Sequence, residues 1–182
     1  YDYWYGIGDE LKAGGASVYT ASVSAANSSE VRGEQLIRDL DRLRAITGKR
    51  KFNLLGHSHG GQTIRYVASV RPDLVASVTL TGTPNLGSPV ADGVNNTLHV
   101  GSPLRAFVAG FVNAFSSFIG ALSGSLDPQD SLAALGSLNS SGARAFNSRH
   151  PQGMPTTSCG SGAAQVNGVY YYSMGGTSVL TN

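Results

Sequence analysis

The chain has 182 residues, 41% of them hydrophobic and only 13% charged, with a formal net charge of +2. That length supports one domain with a sizeable core, and that composition excludes a disordered chain. There is no basic run to hold nucleic acid and no apolar stretch long enough to span a membrane. The first residue is Tyr1, with no charged start, signal-peptide core or cleavage site after it, so the sequence reads as an internal fragment of a longer product.

Residues 1–15 are aromatic at first and then helix-like, with Trp4, Ile7 and Leu11 spaced for one face. The aromatics are expected to pack in the core or to line an acyl pocket. Residues 16–23 alternate, with Val18, Ala21 and Val23 as inward positions, and read as a strand. Asn27 is then placed as a helix N-cap, with Glu30 as its capping-box partner. Val31, Leu36, Ile37, Leu40, Leu43 and Ile46 recur at helical spacing until Gly48 stops the helix. Arg38, Asp39, Asp41, Arg42 and Arg44 fill the other face and read as solvated.

The chain's most informative stretch follows. Residues 51–55 form a short apolar run that enters Gly56-His57-Ser58-His59-Gly60. Thr63, Ile64, Val67, Ala68 and Val70 then fall at helical spacing, and Arg71-Pro72 closes the segment. With 24 glycines in the chain, a bare Gly-x-Ser-x-Gly carries little weight. Strand, turn and helix in this order give it meaning as a nucleophile elbow, where the turn strains and exposes a serine hydroxyl. Ser58 is the candidate nucleophile. The backbone N–H of His59 is the candidate oxyanion donor, since the amide after the nucleophile faces the oxygen that becomes negative. Gly56 and Gly60 flank the turn, and a side chain at either is expected to collide where helix and strand approach. His57 and His59 themselves are expected to have structural side chains.

A strand at 75–81 completes an alternation of helices and strands, which implies a parallel sheet with helices on both sides and the α/β-hydrolase architecture. Thr81-Gly82-Thr83-Pro84 ends that strand, where active-site loops sit on such sheets. Residues 89–126 then change character, with a wide apolar face at helical spacing and Arg105 as the one charge between Gly101 and Leu126. Such a face must be buried in a core or meet lipid. Residues 131–149 form a second helical stretch broken near Gly136, burying Leu132, Leu135, Leu138 and Phe146. Residues 165–173 and 177–180 read as a hairpin-like pair. The chain shows one partial domain, 1–182, with a helical insertion at about 89–126. Cys159 stands alone, as a buried free thiol or as half of a disulfide with a later partner.

The run Gly56 to Ala68, Gly-His-Ser-His-Gly-Gly-Gln-Thr-Ile-Arg-Tyr-Val-Ala, resembles the secreted, foldase-dependent bacterial triacylglycerol lipases known as family I true lipases. The likeness extends through Asp2-Tyr3-Trp4-Tyr5-Gly6-Ile7, Ser29 to Leu36, Val70 to Leu74, and Asn167 to Ser173, and so covers essentially the whole chain. It implies a carboxylic ester hydrolase acting on triglycerides or other acyl esters at a lipid–water interface through a serine acyl-enzyme. It also implies a mobile lid within 89–126, a lipase-specific foldase as partner, extracellular bacterial localisation, and a disulfide from Cys159 to a cysteine beyond residue 182.

The triad aspartate and histidine, and the calcium-binding carboxylates of the family, would lie past Asn182, and the second oxyanion donor before Tyr1. No cofactor and no metal-ligand spacing is expected within the chain itself. Asp127 or Asp130 with His150 satisfies the Ser–acid–His order, but no strand precedes either aspartate, and His150 is expected on the solvated surface. His99 has no partner motif. The other readings are a non-lipolytic esterase, thioesterase or polyester depolymerase, and an inert fragment or binding module of the same fold.

Overall fold

The computed structural model describes residues 3–89, 91–92, 130–157 and 160–176. Nearly all of the apolar 89–126 segment lies outside them, as do His99, Asp127, Cys159 and the strand expected at 177–180.

Helix α1 (Ile7–Ala13) forms where expected but buries none of its residues, and Ile7 and Leu11 are both exposed. Tyr5 is 87% exposed and Tyr3 is exposed as well, so neither is core. Residues 16–23 form no strand, and Ala21 is exposed. Alternation alone does not make a strand; the described sheet ends at β1 and offers this segment no ladder partner.

Helix α2 (Ser29–Thr47) starts one residue later than the sequence suggests. Its N-cap is Ser28, whose hydroxyl accepts from the Val31 N–H at 3.2 Å. Asn27 instead accepts from the Ser28 N–H, and Glu30 pairs with Arg149. Gly48, at φ 69°, closes the helix by donating to the Arg44 carbonyl. Leu36, Ile37 and Leu40 are buried as expected, whereas Val31 and Ile46 are exposed. Asp41, Arg44, Arg71 and Asp73 form an ion-pair cluster tying the end of α2 to the turn after the next helix.

Strand β1 (Phe52–His57), helix α3 (His59–Val70) and strand β2 (Val75–Thr81) follow, with a 3-10 turn at Pro72–Leu74. After the undescribed segment come α4 (Ser131–Leu138), α5 (Ser140–Arg149), β3 (Gln165–Val166) and β4 (Val169–Met174). The break between α4 and α5 falls at Asn139, which caps α5 by accepting from the Gly142 N–H, and not at Gly136. Ala134, Leu138 and Phe146 are buried, but Leu132 is 81% exposed. The hairpin forms inside 165–174, around Asn167 (φ 53°) and Gly168 (φ 76°). Two positive φ values in a two-residue loop suit the twist of antiparallel strands.

The described sheet has the order β1-β2-β4-β3. β1, β2 and β4 run parallel and β3 is antiparallel to β4. α2 and α3 supply Leu36, Ile37, Leu40, Ile64, Val67 and Ala68 to a core closed by Leu54, Val75, Val78, Leu80 and Val169. Burying a large aliphatic side chain contributes about 1.5–3 kcal/mol, so this cluster dominates the stability of the described part.

The candidate active site

β1 and β2 are registered so that His57 lies opposite Thr81, and Thr81 lies opposite Met174 of β4. Three parallel strands therefore end together, and Ser58 sits at that edge. It is the residue between β1 and α3, with φ 53° and ψ −126°. Among the described residues only Ser58 and Asn167 are non-glycine residues at positive φ. Such a conformation costs on the order of 1–3 kcal/mol and persists only where the surroundings over-determine it.

Those surroundings are visible. The Ser58 N–H donates to the Thr81 carbonyl at 2.9 Å, and the Ser58 carbonyl accepts from the Gly61 N–H at 3.0 Å. A Cβ on Gly56 would lie 2.5 Å from the Gly60 carbonyl oxygen, so strand and helix meet backbone to backbone. The expectation of a collision at Gly60 itself is corrected. A Cβ there meets no described atom within 4 Å, and the second close approach belongs to Gly61, whose Cβ would fall on the Thr83 side chain. Gly60 contributes through its carbonyl, and Gly61 through its missing side chain.

The Ser58 hydroxyl makes no capping bond to α3 and has no partner among the described residues. The N–H of His59, first residue of α3, has no intrahelical acceptor and lies at the positive end of the helix dipole. The His59 imidazole leaves the turn and is 4% exposed. Its Nε2 is 3.0 Å from the Ser29 hydroxyl and its Nδ1 is 3.4 Å from Arg32. Burial, with the Arg32 charge adding to it, holds this ring's pKa well below the ordinary imidazole value, so it is neutral. Sequence reasoning left Arg32 unassigned. Its side chain is buried and bonded to Thr63 Oγ1 and the Ala25 carbonyl, and burial brings its pKa to about 10. His57 is exposed and its Nδ1 is bonded by the Tyr3 hydroxyl.

The structure does not bring His150 to Ser58. His150 is 8% exposed, not surface-solvated. Its Nδ1 is 2.9 Å from the hydroxyl of Ser69, and its ring packs against Tyr66 and Phe146. Ser69 lies eleven positions beyond Ser58 on α3, about 16 Å along the axis at 1.5 Å per residue. Asp130 caps α4 by accepting from the Ala133 N–H at 2.9 Å. An internal triad through these two residues is ruled out by placement. Arg65, also missed from sequence, is buried where α3 meets the exit of α5, and burial lowers its pKa to about 10.

Among the described residues no group of three or more His, Cys, Asp or Glu side chains is placed to hold a metal ion, and no helix is long and apolar enough to cross a membrane.

Comparison with known proteins agrees with this geometry. Over its whole length the chain is 52% identical to a triacylglycerol lipase of Vibrio cholerae, of which it covers 58%. It is 44% identical over 175 residues to a triacylglycerol lipase of Pseudomonas fragi, covering 96% of this chain and 60% of that one. The chain thus spans about three-fifths of the length of these relatives. The mature form of the Bacillus licheniformis lipase BlEst2 shares the fold, with a TM-score of 0.57 and 19% identity over 93% of this chain and 58% of that chain. The model of the alpha/beta hydrolase fold matches residues 1–179, and the chain belongs to that family.

Proposed function

We propose that the protein carrying these residues is a carboxylic ester hydrolase, a triacylglycerol lipase, with Ser58 as nucleophile. The observation that carries the reading is the strained Ser58 at the common edge of three parallel strands, with no partner for its hydroxyl among the described residues and the His59 N–H beside it. The relatives named triacylglycerol lipase support the substrate class.

The Ser58 oxygen attacks the ester carbonyl carbon while a general base takes the hydroxyl proton. The carbonyl oxygen becomes an oxyanion and accepts a hydrogen bond from the His59 N–H. Collapse expels the alcohol, which takes up the proton, and leaves an acyl-Ser58 ester. Water then repeats the attack and releases the fatty acid. The described residues bring neither an imidazole nor a carboxylate to Ser58, so base and orienting acid come from outside them. Secretion and a lipase-specific foldase belong to the same proposal and rest on the motif resemblance.

The test is Ser58→Ala in the full-length protein. It is expected to remove nearly all turnover, a loss on the order of a millionfold, while the fold persists. A fluorophosphonate label is expected on Ser58 and on no other serine. A verified Ser58→Ala protein that keeps substantial esterase activity overturns the assignment. Assays on both a triacylglycerol emulsion and a short soluble ester separate a lipase from an esterase with no action on triacylglycerol.

A further inference from the structure

The hydrogen bonds beneath the elbow have a single consistent direction. Arg32 can only donate, so the His59 Nδ1 facing it at 3.4 Å accepts. The neutral ring then carries its proton on Nε2 and donates to the Ser29 oxygen at 3.0 Å. The Ser29 hydroxyl donates onward to Gln62 Oε1 at 2.8 Å, and Gln62 Nε2 donates to the Pro84 carbonyl at 3.2 Å. Ser29 and Gln62 are both fully buried. The chain of bonds runs from α2, through the first turn of α3, to the loop after β2. The same loop's Thr83 packs on Gly61, and the Thr81 carbonyl before it holds the Ser58 N–H.

We propose that Ser29 and Gln62 are positioning residues, which act through the His59 ring to hold the His59 backbone N–H where the oxyanion forms. This rests on the reading of Ser58 as nucleophile and extends it. An oxyanion donor is effective only if it is aimed before the charge develops. The His59 N–H shares a peptide plane with the Ser58 carbonyl, which the Gly61 N–H holds at 3.0 Å, but the flanking Ser58 is strained, so that plane needs a further anchor. The His59 side chain supplies that further anchor, because its ring is held at both nitrogens. Ser29 supplies one of those contacts and Gln62 locks the Ser29 hydroxyl in the donating direction. The links among His59, Ser29 and Gln62 are buried, so bulk water does not reach them as a substitute partner.

The experiment uses the full-length protein with Ser29→Ala, Ser29→Thr and Gln62→Met. Gln35→Ala serves as control, because Gln35 is a buried polar residue of α2 that bonds Ser24 and does not touch His59. Ser29→Ala and Gln62→Met are expected to slow kcat on a soluble ester and fluorophosphonate labelling of Ser58 by about tenfold or more. KM is expected to stay within about twofold. Gln35→Ala is expected to lower Tm comparably with kcat unchanged. Ser29→Thr is expected to recover most of the rate by restoring the hydroxyl. Nitrogen NMR of the His59 ring is expected to show the Nε2–H tautomer in the unmodified protein and a mixture in Ser29→Ala.

If either variant keeps full kcat, or if the rates of Ser29→Ala, Gln62→Met and Gln35→Ala merely follow Tm, the positioning role is overturned while Ser58 stands. Should Ser29→Ala not fold, Gln62→Met decides alone. Failure of the nucleophile reading looks different: Ser58→Ala stays active and Ser58 goes unlabelled.

Discussion

The Arg65 guanidinium, rooted in α3, donates to the backbone carbonyl of His150 at the exit of α5, at 2.8 Å. It also reaches Asn85 and Asn147 and lies over the Phe146 ring. One side chain thus joins the elbow helix, the loop after β2 and the far end of α5. Lysine offers one compact donor group where the fork makes three directed bonds. Arg65→Lys is expected to destabilise the protein by about 2–3 kcal/mol, since buried acceptors lose a charged donor. Urea denaturation reads the loss, and a change below about 0.5 kcal/mol would show that Arg65 is no strut.

The two elbow glycines named by the motif are expected to behave differently. Gly56→Ala drives a methyl into the Gly60 carbonyl and is expected to cost about 1–3 kcal/mol as overpacking. Gly60→Ala meets no described atom and lies in a helix, where alanine gains about 0.5–1 kcal/mol over glycine. Equal losses in the two variants would contradict the described approach of β1 and α3.

Strain at Ser58 makes a separate prediction. Ser58→Gly is expected to raise stability by about 1 kcal/mol, because glycine adopts φ 53°, ψ −126° without the Cβ clash. The same variant is expected to be inactive. Differential scanning calorimetry and an ester assay on one preparation measure both, and a lower Tm for Ser58→Gly would show that the turn is not strained.

Acid is expected to weaken the fold through two histidines. Burial holds His59 well below the ordinary value of 6.5 and also lowers His150, against the opposing pull of Glu30. The unfolded chain therefore binds more protons as pH falls through 6.5, and stability drops in that direction. The slope is at most about 1.4 kcal/mol per pH unit for each group until its folded pKa is reached. Denaturant midpoints between pH 7.5 and 5 measure it, and His150→Gln is expected to flatten the fall. A pH-independent midpoint would mean that both rings take up protons in the folded state as readily as in the unfolded chain.

His150→Ala is expected to leave the rate of Ser58 labelling within a few-fold, because the ring is bonded to Ser69 at the other end of α3. A collapse of labelling in a folded variant would contradict that placement.

The elbow was legible because strand, Gly-x-Ser-x-Gly and helix follow each other in an order only one local structure satisfies. Helix α2 was legible from its period and from Gly48. The edges of that legibility are physical. Ser28 and Asn27 can both cap a helix, and the backbone decides between them. Leu132 fits a helical stripe, yet it lies in the first turn of α4 and is exposed while Leu138 of the same stripe is buried. Arg32 and Arg65 draw no reading from sequence, and His150 is expected on the surface, because their burial depends on partners contributed by residues far along the chain. Asn167-Gly168 carried a hairpin signal of its own, which marks the β3–β4 turn.

The pairing of β2 with β4 has a kinetic side. Ser77 finds its partner in Tyr170, so the apolar insertion, α4 and α5 all lie between neighbouring rungs of one parallel ladder. Closing so long a loop is entropically costly before any contact repays it. During synthesis β1, α3 and β2 emerge long before β4, and one edge of β2 must wait unpaired while the apolar 89–126 sequence is still being made. A chain with that order of events is prone to aggregate at the halfway stage.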